Sequence, residues 1–306
     1  MQIILITGGT GMIGSKLSIQ FIQKGYHVII LTRDIKGKPS QPGLSYARWD
    51  TKKNYIDEEA ISKADFIIHL AGAGVMDKRW TKNYKTEIVN SRVQSCELLV
   101  EKLKHVPNKV KAIISASAIG WYGADKNINN AFTESDKPAN DFLANTCVQW
   151  EQAIEKAEAL GIRVVKIRTG IVLANDGGAL LSFKKPLRFG IAGIPGDGKQ
   201  ICSWIHEDDL CRMYLFALEN KEMNGNYNGV APKPVPLKQV IIMLARKMKK
   251  KFYIAMHAPA FVLKLILGQR STEILKSTNV SCNKIKNAGF TFIYPSLEAA
   301  LSDLTK

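Results

Sequence analysis

The chain has 306 residues, 46% of them hydrophobic, which is enough for a full globular core and too apolar for intrinsic disorder. Its 43 lysines and arginines outnumber 27 acidic residues for a formal charge of +16, a balance that raises nucleic acid or an anionic surface as partners. No apolar run reaches membrane-spanning length, and the first strand starts so early that no signal peptide is predicted.

In chain order, the apolar run Ile3 to Ile6 reads as a buried parallel strand. Gly8, Gly11 and Gly14 follow as TGxxGxxG, and Gly9, Gly11 and Gly14 also satisfy GxGxxG. Ile13, Leu17 and Phe21 recur at helical spacing, Gly25 marks the helix end, and Val28 to Leu31 supplies a second strand. This βαβ unit predicts a dinucleotide site, with the pyrophosphate resting on the helix N-terminus, where free N–H groups favour anions. The second strand ends in Thr32 and Arg33, not in an acid. A guanidinium there grips a 2′-phosphate, so NADP(H) is expected. The alternative has Arg33 solvated and Asp34 turning back to the ribose.

Further strands are predicted over 44–48, 66–70, 112–116, 164–169 and 227–230, with helices over 83–104 and 142–160. Such alternation predicts an α/β fold: a doubly wound parallel sheet of Rossmann type, with a smaller C-terminal lobe. Residues 175–200 are glycine-rich, as binding loops often are. The proline cluster at 232, 234 and 236 suggests a boundary. We expect a cofactor-binding domain over 1–231, with 175–203 reaching toward the substrate, and a substrate-side lobe over 232–306.

That lobe holds 13 lysines and arginines against three acids, densest over 246–251. The run ends an amphipathic helix beginning near Pro236, where cations suit the dipole. It is read as a solvated helix terminus, and without any nucleic-acid motif no such partner is expected, nor is a membrane. The oligomeric state is open, a homodimer being one option. Cys96, Cys147, Cys202, Cys211 and Cys282 are scattered and odd in number, which predicts buried thiols in a reducing cytoplasm. The histidines lack ligand-like spacing, so no metal is expected.

These residues resemble the extended short-chain dehydrogenase/reductases, the group with sugar-nucleotide epimerases and dehydratases. More narrowly, the chain is similar to an atypical epimerase-like subgroup with a C-terminal domain of unknown function. The carriers include Thr7-Gly8-Gly9-Thr10-Gly11-Met12-Ile13-Gly14, His69-Leu70-Ala71-Gly72, Arg79-Trp80-Thr81, Ser91-Arg92 and Ser115-Ala116-Ser117-Ala118-Ile119-Gly120-Trp121-Tyr122-Gly123. Arg168-Thr169-Gly170-Ile171-Val172-Leu173 and Ser203-Trp204-Ile205-His206-Glu207-Asp208-Asp209 follow. The resemblance implies that Gly8, Thr10, Gly11, Met12, Ile13 and Gly14 cradle the pyrophosphate, and that Leu70, Ala71 and Gly72 run beneath the cofactor. It places Asp50 near adenine and Ser115 and Ala116 near the nicotinamide. Thr32, Arg33 and Arg168 are assigned with the cofactor-binding residues.

The group's usual chemistry needs a Ser or Thr for the substrate oxygen and a Tyr-x-x-x-Lys helix, whose lysine lowers the tyrosine pKa. Ser117 fits the serine position. The tyrosine position falls at Phe142 or Leu143 and the lysine position at Thr146 or Cys147, and no Tyr-x-x-x-Lys occurs between 123 and 162. Tyr122 is the leading substitute proton donor. Glu134 in its loop and His206 with Asp208 and Asp209 are weaker candidates. The expected function is NADP(H)-dependent epimerase- or reductase-like chemistry on a small polar or sugar-like molecule. The alternative is a catalytically silent NADP(H)-binding structural or redox-sensing protein.

Overall fold

The computed structural model describes residues 1–38, 40–125, 127, 129–249 and 252–306. The chain opens with β1 (Ile3–Thr7), α1 (Met12–Gln23), β2 (His27–Thr32), β3 (Leu44–Asp50), β4 (Tyr55–Ile56), α2 (Glu58–Lys63), β5 (Phe66–His69) and α3 (Lys82–His105). It continues through β6 (Ala112–Ala118), α4 (Phe142–Glu155), β7 (Arg163–Thr169), β8 (Ile171–Leu173), α5 (Gly178–Leu187), β9 (Ile191–Pro195), β10 (Ile201–Cys202), β11 (Trp204–His206), α6 (Glu207–Glu219) and β12 (Gly225–Gly229). The remainder is β13 (Val235–Pro236), α7 (Leu237–Lys249), β14 (Ile254–Ala258), α8 (Ala260–Leu267), α9 (Ser271–Leu275), α10 (Asn283–Asn287) and α11 (Leu297–Asp303).

The main sheet runs β12-β7-β6-β5-β1-β2-β3-β4, parallel except for β4 at one edge. Both faces are covered, as a sheet built from βαβ crossovers requires. Ile4 and Ile6 face Leu17 and Phe21 of α1 and Leu210 and Tyr214 of α6. Leu5 and Ile67 face the opposite layer, where Leu99 of α3 and Trp150 of α4 pack. The expected doubly wound Rossmann architecture is the one found.

Two boundaries differ from the sequence pattern. The expected 112–116 strand continues to Ala118, and pairing Ser117 with Arg168 of β7 carries it on. The expected 142–160 helix tightens into a 3-10 turn over Lys156–Leu160, which Gly161 ends at a φ of 76°.

A third apolar cluster joins Leu180 and Leu187 of α5 with Ile194, Trp204, Val240 and Leu244, and with Leu301 of α11. Val280, Ile285 and Phe290 return to pack with the main sheet's first layer. Residues of the expected lobe therefore divide between two cores, one shared with 173–204 and one with the main sheet. Asp209 clamps this return, accepting from Ile293 N and Tyr294 N at 2.8 Å each. Arg246, Lys247 and Lys249 occupy the last turn of α7; Lys250 and Lys251 of the basic run lie outside the described residues. All five cysteines are buried and free. Among the described residues no helix is long and apolar enough to cross a membrane.

Candidate functional site

Strand order reverses between β1 and β5, which opens a crevice at their C-terminal ends. The glycine loop lines it. Gly8 has a φ of +69°, and a Cβ there would lie 2.9 Å from the Leu70 carbonyl carbon. Only glycine lets these two loops touch. A Cβ on Gly14 would lie 2.3 Å from Gly8 O, so α1 starts hard against the loop. Gly11 is the N-cap and offers no side-chain cap, leaving the first N–H groups of α1 free for an anion. Thr10 and Gly11 are exposed, whereas Gly14 is buried and Met12 and Ile13 partly so.

A polar brace supports the crevice floor. Thr7 Oγ1 accepts from Leu70 N at 3.1 Å and Ala71 N at 3.2 Å, so its own proton goes to His69 Nδ1 at 2.9 Å. His69 Nε2–H then donates to Ser95 Oγ at 3.2 Å, whose proton is committed to Arg92 O at 2.8 Å. Burial pushes the His69 pKa down to about 4. The ring is neutral and structural.

At the end of β2, Thr32 Oγ1 donates to Asp34 O at 3.2 Å and accepts from Lys38 Nζ at 3.3 Å. Arg33 is exposed. The Asp34 carboxylate accepts from Lys36 N at 2.9 Å, closing its own turn. Asp50 accepts from Lys52 N at 3.0 Å and caps the turn Thr51–Lys53.

Ser117, Tyr122 and Arg168 come together, but in a buried network behind the crevice. Ser117 Oγ donates to Glu151 Oε1 at 2.6 Å. Arg168 grips the same carboxylate through Nε and Nη2 at 2.8 Å each, and its guanidinium stacks 3.8 Å from the Trp121 ring centroid. Tyr122 donates to Asn228 Oδ1 at 2.7 Å and accepts from Arg168 Nη1 at 3.1 Å. Burial raises the Tyr122 phenol to about 12 against the opposing pull of Arg168. Ser115 is fully buried, with its hydroxyl on Ala116 O at 3.0 Å. Glu134 Oε1 accepts from Asn228 N at 2.8 Å.

Beyond the end of β6 lies a cavity of about 700 Å³ between α4, α5 and the lobe. Ser117, Tyr122 and Arg168 are absent from its wall; Ala118, Ile119 and Gly120 form it instead. Successive strand residues face opposite ways, so Ser117 turns inward where Ala118 turns to the cavity. From α4 come Leu143, Thr146, Cys147 and Trp150, a single helical face. Phe142 packs on Trp80 instead, ring centroids 5.1 Å apart. Of the two spacings open in the sequence, the cavity therefore meets Leu143 and Cys147. Burial, with Glu151 adding to it, pushes the Cys147 thiol up to about 12.

Most other wall residues are apolar, among them Met76, Phe183, Leu237, Leu263 and Ile274. Four of the described wall residues are charged: Asp77, and the trio Arg92, Glu273 and Lys276. Lys276 Nζ pairs with Glu273 at 2.7 Å, and burial holds the Glu273 carboxyl above its ordinary value against that cation. Sequence reasoning assigned no role to these three. Arg92 stands in a quoted motif, but Glu273 and Lys276 belong to none.

His206 caps α6, its Nδ1 accepting from Asp208 N at 3.0 Å, and its ring stacks 3.8 Å from Tyr294. His206, Asp208 and Asp303 present ligand atoms within 4.8 Å of one another. Lys16 already holds Asp208 at 2.6 Å and Lys306 holds Asp303 at 2.7 Å, so the carboxylates are charge-balanced without an ion.

A family model described as the NAD dependent epimerase/dehydratase family matches residues 4–229. The chain belongs to that family. A second model, Domain of unknown function (DUF1731), matches residues 258–304. An epimerase family protein from Staphylococcus saprophyticus is 40% identical over 305 residues, 99% of either chain. The human epimerase family protein SDR39U1, solved with NADPH, is 26% identical with a TM-score of 0.85, covering 99% of both chains. A nucleoside-diphosphate sugar epimerase from Corynebacterium glutamicum is 31% identical with a TM-score of 0.78, over 99% of this chain and 58% of that one. The resemblance drawn from the motifs is thereby confirmed.

Proposed function

We propose that the protein binds NADP(H) along the crevice and performs hydride-transfer chemistry on a small molecule in the adjoining cavity, without a Tyr-Lys pair. One observation carries this reading: α4 gives the cavity wall Leu143, Thr146 and Cys147, so neither a tyrosine nor a lysine stands where the family resemblance would put them. Leucine has no proton to exchange, and a thiol held at about 12 is a poor acid at neutral pH.

The cofactor assignment is supported by the uncapped start of α1 and by Arg33 and Lys38 at the end of β2. A 2′-phosphate would meet two cations there, with the Asp34 carboxylate engaged by Lys36 N. The human relative was solved with NADPH. In this reading Ser117 and Tyr122 are positioning residues: they lock the segment that continues into Ala118, Ile119 and Gly120. The proton comes from solvent, because the wall carboxylate Glu273 is held in its ion pair with Lys276. The apolar walls favour a substrate with a hydrocarbon body over the sugar-like molecule that the family resemblance implies.

A second reading, a silent cofactor binder, is favoured by the committed phenol of Tyr122. A panel of small carbonyl compounds with NADPH separates the two. Turnover that survives Tyr122→Phe supports the proposal. Turnover lost in Tyr122→Phe with cofactor binding intact contradicts it, and NADPH binding without turnover on any compound favours the silent binder.

A further inference from the structure

We infer that Arg92 is a carboxylate-binding residue, and that the cavity takes an apolar carboxylic acid whose charged end meets Arg92 beside the nicotinamide. The inference rests on the reading of the cavity as the substrate site.

Arg92 projects from α3 into the cavity. Its Nη1 donates to Ile88 O at 3.0 Å, and its guanidinium lies 5.0 Å from the Trp150 ring centroid. Those contacts use one N–H and one face of a group with five donors. Among the described residues no carboxylate lies within ion-pair distance of it. Neighbouring cations differ: the buried Lys166 and Arg168 have Glu155 and Glu151, and the half-buried Lys276 has Glu273. An unpaired charge facing low-dielectric walls is costly, and an incoming anion removes that cost.

Position argues for substrate over cofactor. A Cβ on Gly72 would lie 3.1 Å from Arg92 Cζ, so the guanidinium sits where the crevice floor meets the cavity. In the cofactor reading its anionic groups would lie elsewhere, the pyrophosphate at the start of α1 and the 2′-phosphate beside Arg33 and Lys38. The nicotinamide end of the cofactor would bring no anionic group to Arg92. With Lys276 paired to Glu273, the remaining charged wall residues are Arg92 and Asp77, which form no ion pair with each other, so Arg92 itself calls for a single anionic group. A planar carboxylate suits the guanidinium fork, while Phe183, Leu237 and Leu263 enclose a hydrocarbon body.

The test is calorimetry on the full chain saturated with NADPH, using hexanoate, 1-hexanol and hexyl phosphate as probes. Hexanoate should bind at least about tenfold tighter than 1-hexanol, roughly 1.4 kcal/mol. Arg92→Gln should abolish that preference with NADPH affinity unchanged, and Arg92→Lys should restore part of it. Equal binding of hexanoate and 1-hexanol by the wild type overturns the inference, whatever the variants do. So does tighter binding of hexyl phosphate, or loss of NADPH affinity in Arg92→Gln. Failure of the wild type to bind NADPH at all strikes the cofactor reading instead.

Discussion

Arg168 and Glu151 form a two-pronged ion pair, Nε to Oε1 and Nη2 to Oε2 at 2.8 Å each, with side chains only 1% and 4% exposed. The pair ties β7 to α4, and Ser117 of β6 donates into the same carboxylate. One buried charge thus fixes three elements around the cavity. Removing a partner strands the other, which costs about 3–5 kcal/mol. Glu151→Ala should lower the urea midpoint by that scale. Ser117→Ala, which loses one hydrogen bond, should cost about 1 kcal/mol. Equal losses in the two variants would contradict the ranking.

Arg33 should set the cofactor preference. Fluorescence titration of the wild type should show NADPH bound at least about tenfold more tightly than NADH, near 1.4 kcal/mol. Arg33→Ala should remove most of the gap. Residual preference in that variant would point to Lys38, which touches Thr32 at 3.3 Å.

Two glycines should fail in different ways. Gly11→Val puts a branched side chain where the pyrophosphate approaches, so a folded protein should lose cofactor binding. Gly14→Ala drives a Cβ to 2.3 Å from Gly8 O, so it should lower thermal stability as well. Normal NADPH binding by folded Gly11→Val would move the phosphate site elsewhere.

His69 should make stability fall with acid. Its folded pKa of about 4 lies below the ordinary 6.5, so between those values the unfolded chain binds the proton and the folded chain does not. Its contribution is complete above pH 6.5, is lost as pH falls toward 4, and levels below that. Linkage puts the full loss at about 3 kcal/mol. Urea midpoints across this window should slope less in His69→Gln than in the wild type.

The first βαβ unit was legible because Ile3 to Ile6 form an unbroken apolar run, as a strand buried on both faces does, and Leu17 and Phe21 keep helical spacing. The glycine loop was legible because its spacing serves a backbone need. The inner site was not. A strand's period of two places Ser117 or Ala118 on the cavity only once its end is known, and pairing of Ser117 with Arg168 carries β6 past the expected stop. Helical spacing alone left Phe142 and Leu143 equivalent until Trp80 took the first. Arg92 lines the same cavity as the local pair Glu273 and Lys276 only through the fold, and residues so far apart in sequence share no local pattern.

A crystal structure of the NADPH complex tests the central claim most directly. The account predicts nicotinamide C4 facing the cavity, with Leu143 and Cys147 side chains within about 4–5 Å and the Ser117–Glu151–Arg168 network unchanged behind it. A nicotinamide ring turned toward the hydroxyl of Ser117 or Tyr122, or lying outside the cavity, would contradict it.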